Sequence, residues 1–367
     1  MKITGLTVHA FEPRPNAHQE TTEYMSAATR QNGVAVISTD EGIEGVVSTL
    51  AGTAKQLANL WAEARGHIEG ADPLDRGGIE NVLRRRYSWP SRVLGVLDYG
   101  LWDIAGKAFD LPVYRLLGAT REKVLAYGST VHHATDERFI EIALEAKARG
   151  FTAVKLHPYG AADDDIRMCY AVRKAVGDKM NLMLDTLAYP GPYSRHDAFR
   201  VGRVLDELGF WWFEDPLPKT DLDGLAALTK ACQRVQVRMA DRVEDIREYA
   251  EMVRRRCMDI MAGPASFGIT DLMKLSAMAE VNHMNMEPHD FGGGIASLHV
   301  LLAVANADYY ELAVPQGCFD TALYPGVYLD PMDIDSDGFV HAPTKPGLGF
   351  GIDLTEAKKI TEQTVVV

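Results

Sequence analysis

The chain has 367 residues, 47% hydrophobic and 24% charged, a composition that can bury a large core and is unlike a disordered, collagen-like or membrane-bundle protein. Its 51 acidic residues outweigh 38 basic ones, and a net charge of −13 argues against nucleic acid or an anionic membrane as partner. Cys169, Cys232, Cys257 and Cys318 stand far apart with no Cys-x-x-Cys pair, which excludes a zinc ribbon or a disulfide framework and reads as reduced thiols.

The N-terminal MKITGLTVHAFEP alternates like a strand and lacks the layout of a targeting peptide. The longest apolar stretch, near Ala296 to Ala307, is broken by His299 and Asn306 and is too short to span a bilayer, so the expected location is the cytoplasm. Alternation continues to residue 50, with TDEG at Thr39 to Gly42 as a tight turn, and predicts a small antiparallel meander. From Ala54 to Phe109 the apolar period becomes helical, through Leu57, Leu60, Trp61 and later Val93, Val96, Leu97, Leu101, Ile104 and Ala108. Residues 1–120 thus read as an α+β module.

After Gly118 come eight short apolar runs, VLAYGS, TAVKLH, NLMLDT, FWWFED, VQVRMAD, MDIMAG, MNMEPH and YYELAV, most separated by segments of helical period. One such helix begins after the cap-like Asp136 and stops at Gly150. Alternating strand and helix units over residues 121–344 predict a closed parallel barrel. An open Rossmann sheet is the competing reading; no G-x-G-x-x-G follows the first strand, and Gly292, Gly293 and Gly294 come late. DIDSDG at Asp333 to Gly338 looks like the start of a calcium loop, but Thr344 holds the twelfth position, so it reads as a turn. The tail, about 345–367, is expected to return to the N-terminal module.

A buried parallel strand should be almost continuously apolar, so a charge within one needs a reason. Asp185 ends NLMLD, Glu214 ends FWWFE and Asp241 ends VQVRMAD, each one strand-helix unit after the last, at intervals of 29 and 27 residues. Three carboxylates at equivalent strand ends converge near the barrel axis and need a cation between them. Oxygen ligands alone favour Mg²⁺. Lys155 and His157 alternate on the second strand and share a face, as do Glu287 and His289 on the seventh, while YYEL on the eighth offers Glu311. A ligand held between them has a proton-transfer group on each side. His132 and His133 follow the first strand at the barrel mouth and are read as substrate contacts or as ordinary loop histidines.

These residues, in this order, resemble the mandelate racemase-like branch of the enolase superfamily, specifically its acid-sugar dehydratases. The likeness spans nearly the whole chain and is carried by LDYGLWDIAGKAFDLPVYRLLG (Leu97 to Gly118), the K-x-H at Lys155, the acids Asp185, Glu214 and Asp241, and the closing KPGLGFGID. It implies an α+β capping domain over a modified (β/α)₇β barrel, with the three acids as Mg²⁺ ligands. Lys155 would contact the substrate carboxylate, His157 would be the base, His289 the acid or base opposite, and Glu311 a hydrogen-bond partner of the carboxylate. Three positions depart from the pattern. His157 stands where Lys is usual, Asp241 where Glu is usual, and MAGPASFG offers no carboxylate at Ala262 to Ser266 to orient His289, leaving Glu287 as a geometrically different substitute.

The implied reaction removes the proton α to a carboxylate and expels the β-hydroxyl, giving a 2-keto-3-deoxy acid; racemisation, epimerisation or cycloisomerisation would use the same enolate. A non-catalytic binding barrel is the reading from another class. The expected partner is a small-molecule carboxylate, and a homo-oligomer is expected. Selectivity is assigned to loops over the barrel mouth, including Glu20, Tyr24 and Arg30, with Glu287 as a further substrate contact.

Overall fold

The computed structural model describes residues 1–11, 32–49, 53–186, 193–240, 243, 245–289, 295–314, 326–329, 332–349 and 351–367. Its first sheet is antiparallel, built from β1 (Ile3–Phe11), β2 (Asn32–Thr39), β3 (Glu44–Thr49) and, from the other end of the chain, β15 (Thr361–Val366). The order is β15-β1-β2-β3, and β1 pairs with β15 from Thr7 opposite Val366 to Phe11 opposite Thr361. Buried Ile3, Leu6 and Val8 lie on β1, which packs against α1 (Ala54–Ile68), whose Leu57, Ala58, Trp61 and Ala64 are buried.

Helices α2 (Arg76–Arg86), α3 (Ser91–Ala108) and α4 (Val113–Leu116) then lead into the second sheet. Helix α3 joins the two parts of the molecule. Gly95 lies so close to the Ser266 carbonyl that a Cβ there would come within 2.3 Å of it, so only glycine lets the helix dock. One turn on, half-buried Asp98 accepts the Thr270 amide at 2.9 Å, taking a free N–H at the start of the helix Gly268–Val281. Burial raises the Asp98 carboxyl to about 6 against the opposing pull of those Thr270 bonds.

The second sheet is parallel and curls into a barrel. Its strands are β4 (Lys123–Ser129), β5 (Ala153–Leu156), β6 (Asn181–Asp185), β7 (Trp212–Glu214), β8 (Gln236–Met239), β9 (Ile260–Met261), β10 (Asn285–Met286) and β11 (Tyr309–Ala313), in the order β10-β9-β8-β7-β6-β5-β4-β11. Between them run α5 (Asp136–Arg149), α6 (Ala162–Val176), α7 (Arg195–Leu208), α8 (Leu222–Ala231), α9 (Ile246–Arg254), α10 (Gly268–Val281) and α11 (Ile295–Ala303). This is the expected (β/α) barrel under an α+β cap, and the open Rossmann alternative is set aside. Helix α5 starts one residue earlier than expected: Thr135, not Asp136, is its N-cap, with its side chain accepting the Arg138 amide, and Gly150 ends it at φ 109°. DIDSDG is a turn, with Asp335 accepting the Asp337 and Phe339 amides. Strands β12 (Tyr328–Leu329), β13 (Phe339–His341) and β14 (Gly351–Ile352) and helix α12 (Leu354–Lys359) complete the described elements. Among the described residues no helix is long and apolar enough to cross a membrane.

Alternation along the barrel strands stacks the interior in layers. Tyr127, Ala153, Met183, Trp212, Ile260 and Tyr309 form a buried apolar floor. Two residues further along their strands, Lys155, Asp185, Glu214 and Glu311 point the same way, and Arg238 stands beside Glu214 in register. Burial of the floor therefore dictates that a charged layer lies directly above it.

Candidate active site

Paired strands place Asp185 opposite Glu214, and Glu214 opposite Arg238. Lys155 and Glu214 have no solvent exposure, and Asp185 and Glu311 only 2%. The Lys155 Nζ lies 3.0 Å from Asp185 Oδ2, 3.2 Å from Glu311 Oε1 and 3.5 Å from Glu214 Oε2, so one ammonium is shared by three carboxylates. Burial pushes its pKa down, but the surrounding acids, Glu214 first, outweigh burial and hold it well above the ordinary lysine value. Asp185 is the mirror case: burial raises it, and Lys155 and then His157 pull it well below the usual carboxylate range.

His157 Nε2 stands 3.1 Å from Asp185 Oδ2, and its backbone amide donates to Thr130 Oγ1. A neutral ring that donates through Nε2 carries its lone pair on Nδ1, which is buried and makes no hydrogen bond among the described residues. The His132 ring packs edge-on against it, 5.8 Å between centroids, and burial lowers His132 to about 4. On the far side of the barrel, His289 is held through its backbone, which donates to the Gly263 carbonyl at 3.0 Å and accepts from the Ala265 amide at 2.8 Å. Burial lowers its ring to about 3, and the carboxylate that opposes this most is Glu311. The short strand β9 and the turn after it thus hold the backbone of His289.

One ligand atom each from Asp185, Glu214 and His289 lies within 4.8 Å of the others, a spacing able to hold a metal ion. The sequence brought Asp185 and Glu214 together with Asp241 instead; Asp241 lies outside the described residues, as do Glu20, Tyr24 and Arg30. Glu287 has a different task from the substrate contact expected of it. Its carboxylate accepts the Asp308 amide at 2.8 Å and the Tyr309 amide at 3.0 Å, where β10 meets β11. Among the described residues no ladder joins those two strands, so the side chain staples the seam of the barrel. Burial raises it to about 7.

Arg238 is the site residue that sequence reasoning missed. It is fully buried, its guanidinium meets Glu214 Oε1 through Nη1, Nη2 donates to the Glu287 carbonyl at 3.0 Å, and its plane lies 4.7 Å from the Trp212 ring. Trp212 Nε1 donates to the other oxygen of Glu214 at 3.1 Å. The signal was present: a charge inside an apolar strand, the same cue that singled out Lys155. Burial raises Glu214 above the usual carboxylate value despite Arg238 and Lys155 nearby. Asp185, Glu214 and Glu311 against Lys155 and Arg238 leave the described charged layer with more carboxylates than cations.

Comparison with known proteins follows the same lines. An enolase C-terminal domain-like family model matches residues 138–357, and one for the N-terminal domain of mandelate racemase / muconate lactonizing enzyme matches residues 6–118. The arabinonate dehydratase of Saccharolobus solfataricus is 30% identical over 267 residues, covering 70% of this chain and 68% of that protein. The D-galactarolactone cycloisomerase of Agrobacterium fabrum is 28% identical over 374 residues, covering 96% and 97%. A solved D-glucarate dehydratase from Agrobacterium tumefaciens, complexed with magnesium, superposes with a TM-score of 0.85 at 29% identity, covering 99% of this chain and 100% of that one.

Proposed function

Because the chain belongs to the mandelate racemase / muconate lactonizing enzyme branch of the enolase superfamily, an enzyme family with many acid-sugar dehydratases, we propose that it is a Mg²⁺-dependent dehydratase of an aldonic or aldaric acid. The observation that carries this reading is the charged layer, with an ammonium among carboxylates, His157 against Asp185, and a His289 ligand atom within 4.8 Å of those of Asp185 and Glu214.

The donor set fits a hard divalent ion. Asp185 and Glu214 offer carboxylate oxygens, and the layer's surplus of negative charge calls for a further cation. Asp241 completes the ligand set in this reading, with His289 kept for proton transfer. When bound, the ion supplies the positive field that stabilises charge developing on the substrate's carboxyl oxygens. The chain's own residues do the rest. Lys155 binds the substrate carboxylate, and Glu311, 3.2 Å from its Nζ, holds the ammonium in place. His157, oriented by Asp185, takes the α-proton at Nδ1. His289, with four strands between β5 and β10 in the sheet order β5-β6-β7-β8-β9-β10, delivers a proton to the departing β-hydroxyl. The enol that results becomes a 2-keto-3-deoxy acid.

A second reading is cycloisomerisation through the same enolate, favoured by the D-galactarolactone cycloisomerase, whose likeness runs through 96% of this chain where the arabinonate dehydratase covers 70%. One screen separates the two. The protein is incubated with MgCl₂ and a panel of aldonic acids, aldaric acids and their lactones, and products are read by proton NMR. A 2-keto-3-deoxy acid from a free acid supports dehydration; a lactone that rearranges without losing water reverses the ranking; no turnover and no exchange of any α-proton with deuterated solvent refutes both.

A further inference from the structure

We infer that Arg238 is a resident counter-cation: its guanidinium takes up one side of the Glu214 carboxylate and so keeps the acid layer assembled with or without a divalent ion, while weakening the ion's hold. The inference rests on the reading of Asp185 and Glu214 as ion ligands.

Arg238 has no exposed surface, so its charge is not there for solvent or solubility. Its partners leave little doubt about its target: Nη1 meets Glu214 Oε1, Nη2 is committed to the Glu287 carbonyl at 3.0 Å, and the Trp212 ring lies 4.7 Å from the guanidinium carbon. Those last two contacts fix the guanidinium plane. Glu214 then has Oε1 tied to Arg238, while Oε2 accepts Trp212 Nε1 and lies 3.5 Å from Lys155. A guanidinium stays charged at any ordinary pH, whereas a lysine in the same place could shed its proton to escape burial. Without Arg238 the three described carboxylates would lose one of the two Lys/Arg cations set among them, and their mutual repulsion would favour an arriving ion or the protonation of a carboxylate. With it, an arriving ion shares Glu214 with a fixed positive charge, and in a water-poor barrel that repulsion is weakly screened. The device separates folding from ion loading: the barrel is complete beforehand, and the ion is held less tightly than three bare carboxylates would hold it.

The test uses the full chain, R238M to remove the charge at similar volume and R238K to keep the charge without the fork. MgCl₂ titration by calorimetry and melting in EDTA or in Mg²⁺ are the readouts, neither of which needs turnover. R238M is expected to bind Mg²⁺ about tenfold or more tightly than the wild type and to show a wider gap between its EDTA and Mg²⁺ melting temperatures. R238K is expected to bind within about threefold of the wild type. Equal or weaker Mg²⁺ binding by R238M overturns the inference. Should R238M stay insoluble with and without Mg²⁺, R238K decides alone: an affinity about tenfold below wild type would show that the fork orients Glu214 and that its charge is not the point. A flat titration of the wild type is a separate result, and it refutes the ligand reading itself.

Discussion

Replacing Lys155 by Met removes the charge on which the layer turns while leaving most of the side chain's volume. Its Nζ is 3.0, 3.2 and 3.5 Å from carboxylates of Asp185, Glu311 and Glu214, all buried. At an effective dielectric constant near 20, each such pair is worth about 5 kcal/mol before desolvation. Burying an ammonium and three carboxylates cancels most of that sum, yet the carboxylates stay buried after the substitution, so the variant loses the attraction and keeps the penalty. Removing one partner of a buried ion pair typically destabilises by about 3–5 kcal/mol. That is a large share of the roughly 5–15 kcal/mol that holds a domain folded. Urea unfolding in EDTA at pH 7.5, followed by tryptophan fluorescence, should show a loss of that order in K155M. The gap should narrow at lower pH, because protonation of Glu214, already raised by burial, relieves the uncompensated charge. A K155M midpoint within 1 kcal/mol of the wild type, by the same estimate, would mean that the acids are not ionised together and that the reasoning about the layer is mistaken.

Three further substitutions probe separate parts of the structure. H157N should abolish exchange of a substrate's α-proton with deuterated solvent and leave Mg²⁺ binding intact; retained exchange would strip His157 of the role of base. E287Q turns an amide NH₂ toward one of the two backbone amides that Glu287 now accepts, so the seam should weaken by about 1–3 kcal/mol in denaturant, and a change below about 0.5 would show that the staple is dispensable. His299 tests the pH response away from the site: buried, it accepts the Tyr114 amide at Nδ1 and meets the Leu348 carbonyl at Nε2, and burial lowers it from 6.5 to about 4. The neutral ring is therefore favoured in the folded state, so its contribution is complete above pH 6.5 and is lost as the pH falls toward 4, by about 3 kcal/mol in all. H299Q keeps an acceptor and a donor without titrating, and its stability should fall less steeply between those pH values; parallel curves would refute the assignment.

How much of this was legible beforehand differs residue by residue. Lys155, Asp185, Glu214 and Glu311 were conspicuous because each interrupts an apolar strand at the position where alternation turns it inward. Arg238 carries the same cue, but in VQVRMAD the terminal acid, in step with Asp185 and Glu214, is the more conspicuous charge. Glu287 misled for a geometric reason. Period-two alternation assigns it to the face of His289, but past Met286 the backbone bonds only on the β9 side among the described residues, and the Asp308 and Tyr309 amides on the β11 side are met by the Glu287 carboxylate instead. A carboxylate beside open backbone donors follows the donors. The role of Thr135 as the cap of α5 likewise rests on backbone geometry, an extended Thr135 followed by helix, which composition alone does not reveal.

The layering explains why a barrel with so polar an interior folds at all. Trp212, Tyr127, Met183, Ile260 and Tyr309 fill the axis below the charges and exclude water from one side, with the Tyr127 and Trp212 rings 5.2 Å apart edge to face. The same floor is what makes the layer above it electrostatically strong, since the dielectric response beneath it is low. Trp212 belongs to both: its ring packs in the floor while Nε1 donates to Glu214 Oε2, so an apolar packing residue sets the angle of a charged one. Alternation along a strand therefore couples stability and chemistry at a spacing of two residues. A residue that improves the floor is two positions from one that could carry catalysis, and the two cannot be varied independently at Trp212 and Glu214.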